Sequence, residues 1–128
     1  MTDLNDYNKK EDKKIKSIEQ TYEERGFVNL KGKWCAPFKV LLNSAHEKYK
    51  DKFSIKTKMI EVNHEEKYAI FVAHVITEDQ IFTGYGDAFK HNTGVLVQNA
   101  YIRMAETRAI VRALRFATNI AEVGTDEL

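Results

Sequence analysis

Arg108, Arg112 and Arg115 stand in the run AETRAIVRALRF, residues 105–116, among apolar residues and with neither proline nor glycine. A guanidinium is a planar fork of N–H donors. It grips phosphate or carboxylate oxygens in pairs and stacks on flat rings, which a lysine ammonium does not do. The chain otherwise prefers lysine, with fifteen lysines against five arginines, yet four of the five arginines fall between 103 and 115, where no lysine occurs. On a helix turning about 100° per residue with Arg103 at zero, Arg115, Arg108 and Arg112 lie near 120°, 140° and 180°, and Tyr101 near 160°. No carboxylate shares that strip, whereas an ordinary solvated face mixes lysine with glutamate. Three forks beside one aromatic ring suit a surface that holds nucleic-acid phosphates in a fixed register and offers a ring for base stacking. The plain alternative is a solvated polar face.

Glu106 falls near 300° on the same wheel, inside an apolar arc formed by Ile102, Ala109, Ile110, Ala113, Leu114, Phe116 and Ala117. A carboxylate there needs a partner. Arg103, three residues earlier, is one choice, and a neighbouring subunit is the other. A second basic region lies upstream, where residues 31–60 carry eight lysines against Glu47 and Asp51. Lys56 and Lys58 project from one face of a predicted strand, so they either widen a basic surface or belong to a solvated strand face.

Other chemistry lacks its residues. GYGDAF has two glycines of a dinucleotide fingerprint but lacks the third and opens no helix. No Gly-x-x-x-x-Gly-Lys-Ser/Thr loop is present, so ATP hydrolysis is not expected. His46, His64, His74 and His91 sit on four different elements without ligand spacing, and Cys35 stands alone. No metal site is therefore expected. Glu65, Glu66, Glu78 and Asp79 cluster in turns, where solvation accounts for them. With no nucleophile, base or cofactor loop in evidence, the expectation is a protein that is not an enzyme and carries no cofactor.

The elements that must position these groups are legible in outline. Residues 1–24 are crowded with charge and read as a helix or arm, helical from about 11. GFVNLKGKWCAP reads as a short hairpin about Lys31-Gly32, closed by Pro37, and FKVLLNSAHEKYK as a helix. FSIKTKMIEV alternates as a strand, YAIFVAHVI reads as a central strand covered on both faces, and IFTGYG as a third. The final helix spans about 95–120. The sum is an α+β fold in which a three-stranded antiparallel meander is covered by a long C-terminal helix, a β-β-β-α core. The core domain covers 25–120, and 121–128 reads as an acidic tail.

The meander ending in FTGYGDA, followed by AETRAIVRALRFATN, resembles the single-strand annealing proteins of the Rad-fifty-two-like superfamily, which includes phage annealases of the Erf and Sak kind. The likeness spans residues 33–120, and KVLLNSAHEKYKDKFSIKT matches the helix before the family's first meander strand. The resemblance implies a homo-oligomer, a ring or helical filament. It would hold single-stranded DNA by its backbone in a basic groove and anneal complementary strands without ATP, in recombination or repair. It implies that Arg112 and Arg115 face that groove. It also implies a base at the start of the first core helix, for which Lys39 is the match. Val111 departs from the family, where the position before Arg112 is often basic, and Arg108 stands in from the preceding turn.

Two other readings compete. A double-stranded RNA-binding module also runs α-β-β-β-α, but it places lysines at the start of its last helix, and TGVLVQNAY has none. A non-catalytic assembly or adaptor protein would use the arginines on acidic partner residues. No apolar run approaches the roughly 20 residues that span a bilayer. The amino end has no signal-peptide core. A single cysteine fits a reducing compartment. A cytoplasmic protein without membrane partners is therefore expected.

Overall fold

A computed structural model describes residues 20–128, apart from the side chains of residues 95–97. The expected helix start near residue 11 lies outside them, while residues 20–24 are helical. Val28–Leu30 (β1) and Lys33–Cys35 (β2) pair antiparallel about Lys31 and Gly32, whose φ angles of 53° and 85° form the left-handed two-residue turn that matches strand twist. Pro37 leads into the helix Phe38–Tyr49 (α1). Ser54–Asn63 (β3), Tyr68–Ile76 (β4) and Ile81–Ala88 (β5) form an antiparallel sheet in the order β3-β4-β5. Tyr101–Thr118 (α2) packs on that sheet. The α+β architecture is thus the one expected.

The closeness of α2 to the sheet explains the glycines of GYG. A Cβ on Gly84 would lie 2.4 Å from the Ala113 nitrogen, and one on Gly86 would lie 2.2 Å from the Ala109 nitrogen. Ala105, Ala109 and Ala113, four residues apart, form one smooth face of α2, and glycines two apart form one face of β5. Helix backbone therefore rests nearly on strand backbone. The same alternation turns Tyr85 to the other side of the sheet, where it is 62% exposed.

Three expectations change. The last helix begins at Tyr101, because Val95–Ala100 winds as tighter 3-10 turns and Ala100 breaks the path at φ −100°, ψ 27°. Among the described residues a helix covers the central strand β4 on one face only. Ala69, Phe71, Ala73 and Val75 are buried beneath α2, while on the opposite face Val72 is buried and Ile70, His74 and Ile76 are half-buried. His74 shares a hydrogen bond with Thr83 across the strands (2.9 Å).

The third change concerns residues 121–128, which fold back onto the domain. Ala36 N donates to Val123 O (2.9 Å), Thr125 N donates to Ala36 O (3.0 Å), and the Tyr22 hydroxyl donates to Glu122 (2.8 Å). That last bond, with the charge of Glu122, holds the Tyr22 phenol above its ordinary pKa. No helix among the described residues is long and apolar enough to cross a membrane.

Candidate nucleic-acid interface

The arginine strip of α2 does not form one solvated face. Tyr101 and Arg108, expected on it, are both buried: Tyr101 packs edge-on against His64, and the loop after β5 and the returning residues 121–128 close over Arg108. Arg108 is 2% exposed, and its five N–H groups all find acceptors. Nε donates to Asp126 O (3.1 Å), Nη1 to Asp87 O (2.8 Å) and Asn92 Oδ1 (3.2 Å), and Nη2 to Asn92 O (2.7 Å) and Leu128 O (3.4 Å). Burial pushes its pKa below the ordinary arginine value, the Asp87 carboxylate opposing, and an arginine stays charged regardless. Arg108 is a staple between β5, its following loop and the chain end. Tyr101 shares a hydrogen bond with His64 (2.6 Å) and offers no free ring for stacking.

Arg112 and Arg115 reach the surface one and two turns further on. Their guanidiniums flank a single carboxylate, Glu127. Arg115 Nη1 donates to both of its oxygens (2.8 and 3.0 Å), and Arg112 Nε donates to Oε2 at 3.3 Å. Arg112 Nη1 also donates to Tyr85 O (2.7 Å) on the free edge of β5, and Arg115 Nη2 to Ala121 O (2.7 Å). The two side chains line an open groove of about 500 Å³ between the β5 edge and the end of α2, together with Thr83, Tyr85, Phe116 and Glu127. Phe116, expected in the apolar arc, is 66% exposed at the groove. The groove therefore joins two guanidiniums to the ring of Phe116, with the Tyr85 carbonyl at its edge and the Tyr85 ring turned to the adjoining face.

Lys56 and Lys58 are exposed on the open face of the sheet. Register places Lys58, Val72 and Tyr85 in one row across the strands, and Lys56, His74 and Thr83 in the next. Two strand spacings put Lys58 about 10 Å from Tyr85. The two lysines thus stand on the strand furthest from the groove, on the face that Tyr85 also presents. Lys39 is exposed at the start of α1, but no contact ties it to the groove. Glu106 forms no ion pair with Arg103 within the chain. It is half-buried and accepts from Thr57 Oγ1 (2.8 Å) on β3.

Sequence reasoning missed Glu127, Tyr85, Phe116 and Asn92. The exposed rings had a local signal. Tyr85 alternates with two glycines, and Phe116 lies near 220°, at the margin of the apolar arc and 40° from Arg112. Glu127 and Asn92 join α2 only through tertiary folding. Among the described residues no group of His, Cys, Asp or Glu is placed to hold a metal ion. No family model, no curated protein and no solved structure matches this chain.

Proposed function

We propose that this chain binds single-stranded DNA along the groove of Arg112 and Arg115 and, as a homo-oligomer, promotes ATP-independent annealing of complementary strands. The observation that carries the reading is the pairing of two guanidinium forks with the exposed ring of Phe116 in one open groove, next to the exposed Tyr85 on the adjoining sheet face. Forks hold backbone phosphates, and rings stack on any base, so the combination takes a flexible single strand without reading its sequence. Lys58 and Lys56 extend the path for the backbone beyond Tyr85. The β-β-β-α order and the likeness to annealing proteins supply the step from binding to annealing.

The second reading, an assembly or adaptor protein that presents arginines to carboxylates, draws on Glu127, since the groove forks already hold one carboxylate.

Lysine exchange separates the two. In Arg112→Lys/Arg115→Lys the positive charges remain opposite Glu127 while the forks are lost. Affinity for a labelled oligothymidylate is expected to fall at least about tenfold, the equivalent of 1.4 kcal/mol. Unchanged affinity in a folded variant would remove the groove from the account.

A further inference from the structure

We propose that Glu127 is a built-in competitor for phosphate, seated where a nucleic-acid phosphate binds and displaced by it. The proposal rests on the reading of the groove as a backbone site and adds its regulation. A carboxylate and a phosphate present the same charge-bearing oxygens to a guanidinium fork. Glu127 takes up part of this offer: Arg115 Nη1 bridges its two oxygens, Arg112 Nε reaches one, and Gly124 N donates to Oε1 at 3.0 Å. The carboxylate is 6% exposed, whereas the Arg112 and Arg115 side chains are 36% and 25% exposed. The acid lies beneath and the forks face the groove.

Two features make the seat exchangeable. Two guanidiniums meet one carboxylate, which leaves one positive charge uncompensated within the cluster. Arg115 Nε is buried with no acceptor, so the carboxylate does not use all the donors offered. A phosphate brings further oxygens to the same cluster.

Release needs no unfolding. Glu127 stands on the single turn Thr125–Glu127. The ties that hold this segment, at Ala36–Gly124, Thr125–Ala36 and Arg108–Asp126, are to other groups. Rotation of the Glu127 side chain, which also gives up the bond from Gly124 N, vacates the forks. A lone anion competes poorly against a tethered carboxylate, whose effective concentration is high. A backbone that engages the forks, the rings and the lysines together displaces it, so the contact favours a polyanion over free phosphate.

The test compares wild type with Glu127→Gln in the full chain, using a labelled oligothymidylate for affinity and inorganic pyrophosphate in thermal melts. Glu127→Gln is expected to bind the oligonucleotide about tenfold more tightly, and pyrophosphate is expected to raise its melting temperature but not that of wild type. Arg115→Lys added to Glu127→Gln is expected to remove both gains. If wild type binds the oligonucleotide and Glu127→Gln binds it no better, the competitor is refuted while the groove stands. If neither binds the oligonucleotide but pyrophosphate stabilises Glu127→Gln through Arg115, the nucleic-acid reading falls and the masked anion site remains. If Glu127→Gln responds to neither probe, the proposal is overturned. Circular dichroism checks the fold. Should Glu127→Gln not fold, Glu127→Asp withdraws the same charge by one methylene, with a smaller gain expected and no gain overturning the proposal.

Discussion

Three arginines on one helix face carry two different tasks, and burial separates them. Arg108 spends its five donors on carbonyl oxygens of four residues, so its charge serves the fold. Replacing it strands several buried acceptors at once. Arg108→Lys keeps the charge but cannot reproduce the fork, and a loss of at least about 3 kcal/mol is expected in urea unfolding. A change below about 1 kcal/mol would show that the carbonyls find other partners and that Arg108 is not the staple described. Arg112 and Arg115 divide their donors between the fold and the groove, and this is why lysine exchange is a cleaner probe there than alanine. Alanine would leave Glu127 buried and short of cations, a fault in stability that would masquerade as a fault in binding.

At the scale of elements, most of the fold was legible and most of the site was not. Period-2 alternation in FSIKTKMIEV, the hairpin turn at Lys31-Gly32 and the helical spacing in FKVLLNSAHEKY all follow from local rules that the chain obeys. The contact between α2 and β5 was also written locally, in alanines four apart facing glycines two apart, although its meaning needed the two elements brought together. Gly86→Ala is expected to cost about 3 kcal/mol, since the added methyl meets helix backbone that cannot turn aside. A melting temperature within error of wild type would mean that α2 stands further from the sheet. The burial of Arg108 and Tyr101 had no such local trace. Periodicity sees the two sides of a helix, but it does not see the third layer made by residues 89–93 and 121–128. An acidic segment read as a tail became the cover of a basic strip because Arg112 and Arg115 meet Glu127, fifteen and twelve residues away, only in the folded chain.

Among the described residues, the sheet is covered by α2 on one face and left open on the other, with the groove at the β5 edge. Charge follows the same division. Arg112 and Arg115 sit at the edge, Lys56 and Lys58 on the open face, and the Glu127 carboxylate is tucked against α2. A strand entering the groove would cross Tyr85 toward Lys58 without meeting the helices. The claim that this path binds single strands is most directly tested by fluorescence anisotropy with labelled single-stranded DNA, duplex DNA and duplex RNA over a series of salt concentrations. The account predicts preference for the single strand and a log affinity that falls with log salt by about 0.7 for each phosphate neutralised, hence about 1.4 or more for the two groove arginines and their neighbours. Absence of binding at low salt, or preference for duplex RNA, would contradict it.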